Sequence, residues 1–374
     1  MGDIAKRVIR KNKENDILPV LTNSADLGIV LQNDYFDKAI AKNLNNYYIV
    51  SHNDFVYNPR ISKKAPFGPI NRNKLNIQGV MSPLYLVFRF NSEMDLNFLE
   101  YYFQSSKWYP FMYKNGDSGA RADRFAIKNS ILMNMTINVP TLDQQKRIGK
   151  ILLLLENSIA LQQRKLEQLE LLQKSILQTI FTSNNKKEKI ELNKLANYRR
   201  GSFPQPYTNK KWYGGKNSKP FVQVIDVNDN LKLHEQTKER ISEIAQPKSV
   251  FVPKGSIIVT LQGSIGRVAI TQYDSYVDRT LLILTDFKKK IDKYYFANAL
   301  KMVFNKEKLK APGGTIKTIT KSTLSSFKIV LPNIKLQIQY GKLLKSVDKQ
   351  IILNKNRIMK LKKIKQFLLQ NIFI

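Results

Sequence analysis

The sequence predicts an α+β chain in which two mixed α/β bodies are each followed by a long coiled-coil helix, the whole arranged as an internal repeat. Three observations predict it. Near-identical phrases, ILQTIF at 176–181 and LLQNIF at 368–373, stand 192 residues apart. Apolar residues ahead of each phrase follow a heptad spacing. Two stretches of unlike sequence, each ahead of one heptad run, alternate strand-like and helix-like segments in the same order.

The repeat extends backwards without a gap to Pro140 and Pro332, and 12 of the 42 aligned pairs are identical. They include Gln145 with Gln337, Gly149 with Gly341, Lys150 with Lys342, and Phe181 with Phe373. The openings also correspond, GDIAKRV at 2–8 with NKLANYR at 193–199. The expected division is a first body over 1–139, a helix over 140–185, a second body over 186–331 and a second helix over 332–374.

The first body has strand-like runs at 47–51, 54–58 and 83–90, then a helix-like stretch at 96–109. The second has strands at 219–227, 256–262 and 268–271, then a helix at 292–304. In each, a Gly-containing loop (GDSGAR at 116–121, PGGTIK at 312–317) and a short strand complete the order. In the first helix the seam is Ile148, Leu152, Leu155, Ile159, Leu166, Leu169, Ile176 and Ile180. In the second it is Tyr340, Leu344, Val347, Ile351, Ile358, Leu361, Leu368 and Ile372. Polar residues break both seams at matching places, Gln162 with Asn354 and Gln173 with Lys365. A proline just before each helix suits the end of a preceding strand. A helix over 144–181 is roughly 57 Å long at 1.5 Å per residue. With one apolar stripe it needs a partner of similar length, and the other helix supplies one.

The chain carries 62 Lys and Arg against 29 Asp and Glu, a net charge of +33. Such a surplus attracts polyanions, nucleic acid first. The second body and second helix together hold most of it, with 28 basic and 12 acidic residues over 182–331 and 10 and 1 over 332–374. The longest local apolar run, 151–155, is far short of a membrane span. No signal-peptide core opens the chain, and a total lack of cysteine fits a reducing cytoplasm and excludes thiolate zinc sites and thiol nucleophiles.

Catalytic motifs are weak. Asn58-Pro59 begins like the loop by which adenine methyltransferases hold the amino group being methylated, but Arg60 stands where a second proline belongs. No glycine-rich turn suits S-adenosylmethionine, and no P-loop is present. Asp274 with Asp286-Phe-Lys288 is the nearest approach to a nuclease carboxylate cluster, and the two histidines, His52 and His234, lie one in each body. The reading is a non-catalytic chain with no cofactor and no metal.

The same stretches read better as DNA contacts. The loop over 57–74 combines Arg60, Lys63, Lys64, Arg72 and Lys74 with Asn58, Asn71 and Asn73. Arginine suits guanine and asparagine adenine in the major groove, while lysine suits phosphate. In the second body, Arg199, Arg200, Ser202, Gln205, Tyr207, Lys210 and Lys211, then Gln262, Ser264 and Arg267, have the same mixture. The Gly-containing loops add Arg121 and Lys317. A plain basic surface loop is the competing reading of each stretch.

The order Pro-x-x-x-x-Gln, a long heptad helix, and a closing Leu-Gln-x-Ile-Phe, written twice, resembles the repeated conserved region of type I restriction–modification specificity subunits. The start GDIAKRV and the second LNKLANYRRGSFPQPY…FVQVIDV resemble the openings of that family's target-recognition domains. Family members often have a further segment ahead of the Gly-Asp-Ile stretch, which here begins at Gly2. The resemblance implies antiparallel helices and a pseudo-two-fold monomer. Each target-recognition domain would read half of a bipartite double-stranded DNA target, with the helices as the spacer. It implies two methylation subunits as partners, and restriction subunits through the complex. Two other readings stay open: a self-contained restriction or methyltransferase enzyme, and a generic basic coiled-coil protein that binds nucleic acid by charge.

Overall fold

The structure is a computed structural model that describes all residues except 14–17, 37–43, 118–121, 183–187, 311–318, 320 and 374. The chain divides into two compact units. One joins Met1–Arg164 to Asn356–Ile374, and the other is Lys165–Lys355. Both long helices, Leu142–Phe181 and Ile334–Asn371, therefore contribute one half to each unit.

In the first unit a four-stranded antiparallel sheet has the order Ala5–Arg7, Leu86–Phe90, Phe55–Tyr57, Ile70–Arg72. In the second unit the order is Asn197–Arg200, Leu281–Thr285, Ile257–Thr260, Val268–Ile270, again antiparallel throughout. The two sheets have one topology: first strand, fourth, second, third. Aromatic and β-branched residues suit these half-buried pleats, and Phe55, Phe88, Val259 and Leu282 sit in the cores. The inserted parts differ. The first unit adds the hairpin Leu21–Ser24 with Gly28–Leu31 and the pair Tyr48–Val50 with Gly79–Met81. The second adds a four-stranded sheet containing a parallel pair, Lys219–Val222 with Ser275–Val277.

Three expectations shift. The helix-like stretch at 96–109 is one helix, Leu96–Gln104, and a second, Tyr109–Asn115. The Ser105 hydroxyl donates to Tyr102 O at 2.6 Å and accepts from Lys107 N at 3.2 Å, ending the first helix. The stretch at 219–227 is strand only to Val222, because Asp226 folds back to accept from Gln223 N at 2.8 Å. The short strand that closes the second body, Lys328–Val330, pairs with Lys189–Glu191, whereas residues 136–139 form no strand.

Each fourth strand leads into a helix capped by an aspartate. Asp95 Oδ1 accepts from Phe98 N at 2.7 Å, and Asp292 Oδ1 from Tyr295 N at 2.8 Å. Both caps dock on a long helix in the same way. Gln145 Oε1 accepts from Asp95 N at 3.0 Å while its Nε2 donates to Pro140 O at 2.9 Å. Gln337 repeats this with Asp292 N at 3.1 Å and Pro332 O at 2.7 Å. The cap lies against a glycine. A β-carbon at Gly149 would stand 2.5 Å from Asp95 Oδ1, and one at Gly341 would collide with the Asp292 carboxylate. The end of the other long helix completes the grip. Phe373 packs on Phe98 at 5.3 Å between ring centroids, and Phe181 on Tyr295 at 5.2 Å. The repeated Pro, Gln, Gly and Phe thus form one anchor, built twice.

Within each unit the two helix segments run antiparallel. The seam residues are buried or half-buried, with Leu152 and Leu344 fully enclosed. Polar breaks are matched across the seam. Lys365 donates to Glu156 at 2.8 Å in the first unit, and Gln173 donates to Asp348 in the second. The repeat places Glu156 with Asp348 and Gln173 with Lys365, so the same crossing is made twice with different charge. A body tyrosine closes each: Tyr101 donates to Glu156 at 2.7 Å, and Tyr294 donates to Asp348. Polar seam positions favour one register over its neighbours.

Burial pushes the Glu156 carboxyl up, but the Lys365 and Tyr101 hydrogen bonds and the Lys365 charge outweigh it, leaving a lowered pKa. A carboxyl lowered on folding adds stability that is present above its unfolded pKa and lost as pH falls through the folded one. The first unit is therefore expected to lose thermal stability as pH drops below about 4.5, the ordinary value for a glutamate. Melting curves of Glu156→Gln should lack that part of the pH dependence; an unchanged profile would remove this pair from the account.

Candidate nucleic-acid interface

The strand order places particular loops together. In an antiparallel sheet ordered first, fourth, second, third, one end holds the exit of the first strand, the start of the fourth, and the second–third hairpin. The fourth strand exits at the opposite end, where the capped helix docks. The basic loops picked out at 57–74 and 262–267 are this same hairpin in the two units.

In the first unit the hairpin is a shaped loop. Ile61 N donates to Asp123 O at 3.0 Å, Phe125 N to Pro59 O at 2.8 Å, and Tyr57 OH to Phe67 O at 2.9 Å. Gly68 has φ 83° and passes against the Asn58 carbonyl, where no β-carbon fits. Arg60, Lys63 and Lys64 are exposed on it, with Lys64 paired to Asp26. Asn58 is turned inward. Its Nδ2 donates to Asn23 O at 2.8 Å and its Oδ1 accepts from Arg60 N at 3.0 Å. Asn71 donates to Asn23 Oδ1 at 2.7 Å, and Asn73 to Ser51 O at 3.0 Å. The third strand carries Arg72 toward the helix end. There it pairs with Glu100 at 3.0 Å and donates to Asn97 Oδ1 at 3.0 Å, with Lys74 on the same carboxylate. Arg121 lies outside the described residues. Arg7, the last residue of the first strand, is exposed, as is Arg10 past Val8, whose N–H donates to Val87 O at 2.9 Å.

In the second unit three loops are tied together. Leu261 N donates to Thr280 O at 2.8 Å, and Ser202 N to Val277 O at 3.0 Å. Gly201 lies so close to the Val277 and Asp278 carbonyls that a β-carbon would strike both. Arg199, Arg200, Gln205, Lys210, Lys211, Gln262 and Ser264 are exposed, and Ser202 Oγ donates to Lys248 O at 3.2 Å. Tyr207 lies on Phe203, with ring centroids 5.0 Å apart, and donates to the buried Asp278 at 2.5 Å. Burial and then that hydrogen bond push its hydroxyl pKa up, so it stays a neutral donor. The Arg279 guanidinium stands 5.2 Å from the Tyr207 ring centroid. The Lys211 and Lys248 ammonium groups stand 4.4 and 5.0 Å from that of Trp212. The result is a cationic surface laid on flat aromatic rings, suited to phosphate and base edges. Arg267 points elsewhere, to Asp229 at 3.0 Å and Val227 O at 3.3 Å. Lys317 lies outside the described residues.

Lys248 and Arg279 escaped the sequence reading because each is a lone cation in an unremarkable stretch. Only the neighbouring Tyr207 and Trp212 give them a place. The weak catalytic motifs also find local explanations. Asn58 is buried, Asp274 accepts from Lys254 N at 2.8 Å, and Asp286 from Asn197 at 3.4 Å. Among the described residues, no group of three or more His, Cys, Asp or Glu could hold a metal ion.

The sequence profile of the type I restriction modification DNA specificity domain matches twice, over residues 2–171 and 184–363. The chain belongs to this family. It is 23% identical over 258 residues to a putative type I restriction enzyme MjaX specificity subunit from Methanocaldococcus jannaschii, a match spanning 64% of this chain and 59% of the relative. It is also similar to the solved type I restriction–modification S subunit of M. genitalium, at 14% identity and TM-score 0.60, covering 100% of this chain and 94% of that one. The HsdS subunit of Thermoanaerobacter tengcongensis is similar at 17% identity and TM-score 0.52, covering 100% and 95%. These likenesses show the specificity-subunit fold, two variable bodies carried on a repeated pair of helices.

Proposed function

We propose that this chain is the non-catalytic DNA-recognition subunit of a type I restriction–modification complex. The first body, over 1–139, reads one half of a bipartite double-stranded target, and the second, over 186–331, reads the other. The helices over 140–185 and 332–374 hold the bodies and dock two methylation subunits, and restriction subunits join through the complex. The observation that carries this reading is the duplicated sheet. Both bodies expose basic residues at the sheet end opposite an identical helix anchor, while the residues at that end differ. Reading residues in the first body are Arg60 and Lys63. In the second they are Arg200, Lys211, Lys248, Gln262 and Arg279, with Tyr207 as platform. Asn58, Asn71, Arg72 and Arg267 act by shaping the loops. The family and the absence of cysteine support work beside DNA in the cytoplasm, and among the described residues no helix is long and apolar enough to cross a membrane.

The purified chain is expected neither to methylate nor to cut DNA, and to confer methylation at one bipartite sequence once its methylation subunit is added. Arg279→Ala with Lys248→Ala should weaken methylation about tenfold and relax base preference in one half-site only, since a good base contact is worth about 1–3 kcal/mol. Equal weakening on all sequences would make these cations phosphate contacts. Methyl transfer by the chain alone would overturn the reading.

A further inference from the structure

The basic hairpin loop of the first body is longer than its equivalent in the second. Residues 58–69, twelve in all, join Phe55–Tyr57 to Ile70–Arg72, whereas seven, 261–267, join Ile257–Thr260 to Val268–Ile270. The short loop closes on itself. Arg267 N donates to Thr260 Oγ1 at 3.0 Å, and that hydroxyl donates to Ser264 O. A longer loop has more conformations to lose, so its shape needs support from elsewhere in the chain.

The inserted hairpin, Leu21–Ser24 with Gly28–Leu31, supplies that support. Asn23 is 2% exposed and lies across the two feet of the loop. Its Nδ2 donates to Val56 O at 2.7 Å and to Pro69 O at 3.3 Å. Its Oδ1 accepts from Asn71 at 2.7 Å, and its backbone O from Asn58 at 2.8 Å. One residue thus ties 56 and 58 on the outgoing foot to 69 and 71 on the returning foot. Asn58 passes the constraint on, because its Oδ1 accepts from Arg60 N at 3.0 Å. The turn of the hairpin makes a further contact. Ser24 Oγ accepts from Asp26 N at 3.2 Å and Leu27 N at 3.4 Å, Gly28 has φ 71°, and the exposed Asp26 pairs with Lys64. Packing alone does not call for an amide here. Leu21 and Ile29 beside it sit in an apolar cluster, and a buried amide is costly unless its donors and acceptor are all used. What Asn23 adds is a fixed distance between the feet.

We propose that Asn23 is a positioning residue for recognition, so that the base preference of one half-site is set from outside the reading loop, by the inserted hairpin. Asn23 is buried and touches no DNA itself; it decides where the Arg60 fork stands. This inference rests on the proposed DNA-recognition function. A base-reading side chain must be held within about 0.5 Å of its productive place, whereas a lysine on a phosphate, such as Lys63, tolerates slack. Loosening the feet therefore costs discrimination before it costs binding. Wrong bases are admitted in one half-site, and the other half-site is untouched.

The test assembles the full chain with the methylation subunit of its own system, maps methylation on DNA in which each target base is varied, and follows melting alongside. Asn23→Ala should lower the preference for the cognate base about tenfold in the half-site that Arg60→Ala alters, and leave the other within about twofold. Gly149→Ala is the control for stability. It loosens the same unit from the anchor end, so at a similar loss of melting temperature it should keep both preferences. Asp26→Ala lies on an exposed turn where folding is not at stake, and it should relax the same half-site to a smaller degree; it decides the matter if Asn23→Ala does not fold. Wild-type preferences in both variants would overturn the inference. So would a loss by Asn23→Ala that is equal on all sequences and tracks melting as in Gly149→Ala, or a relaxation in both half-sites. Failure of the wild-type complex to methylate any bipartite sequence would overturn the proposed function, and this inference with it.

Discussion

Replacing Gly341 by valine is expected to cost the second unit about 3 kcal/mol, as overpacking of a close contact does at its upper range. The sign is the informative part. On a free helix, any side chain in place of glycine raises helix propensity, alanine by about 1 kcal/mol, and the substitution would stabilise. Here the new β-carbon would meet the Asp292 carboxylate, which caps the helix Lys293–Lys310. Either the cap retreats from Gln337 or the long helix moves off the body. Gly341→Ala should already destabilise, and Gly149→Ala should do the same to the first unit through Asp95. A unit of this size loses roughly 2–4 °C of melting temperature per kcal/mol, so Gly341→Val should melt roughly 6–12 °C lower. Calorimetry checks it. A melting temperature equal to or above the wild type's would mean that the cap does not press on the helix.

Arg72→Ala should act on stability, and Arg60→Ala on recognition, although both arginines stand in one loop motif. The Arg72 side chain is 13% exposed and the Glu100 side chain 9%, so removing the cation leaves a buried carboxylate with Lys74 alone. Breaking a buried pair from one side costs about 3 kcal/mol or more. Arg72→Ala should therefore lower the melting temperature of the first unit by roughly 6 °C or more, with an unchanged half-site in whatever protein stays folded. Arg60 is exposed, so Arg60→Ala should leave melting unchanged and alter methylation specificity in one half of the target. Denaturant melts and methylation mapping of both variants separate the two roles. The reverse pattern, a stable Arg72→Ala with altered specificity, would move Arg72 into the reading surface.

The contrast between these arginines shows where the sequence stops. Composition alone cannot rank Arg60, Arg72, Asn58 and Asn71, because each is a plausible base reader. Strand direction ranks them. The hairpin keeps Arg60 at one end of the sheet, while the third strand carries Arg72 to the other, beside Glu100. The same holds for Lys248 and Arg279, which have no local motif and reach the surface through Trp212 and Tyr207 from distant segments. Hydrogen bonds to Asn23, on the separate strand Leu21–Ser24, then turn Asn58 and Asn71 inward, a matter of partners that no spacing rule reveals.

The sequence by itself determined the repeat, the heptad seams, the division into two bodies and two helices, and the polycationic character. Each of these is periodic or additive along the chain, so each is readable from spacing and sums. Tertiary structure alone decided which helix end grips which body. Phe181 closes the first repeat in sequence but packs on Tyr295 of the second body, and Phe373 returns to Phe98 of the first. The physical reason is that a one-stripe helix must be covered along its whole length, and antiparallel pairing brings the start of one helix beside the end of the other. The anchor residues Gln145, Gly149, Gln337 and Gly341 were visible as identities, but the force that keeps them, an aspartate cap pressed against a bare backbone, exists only once the chain has folded.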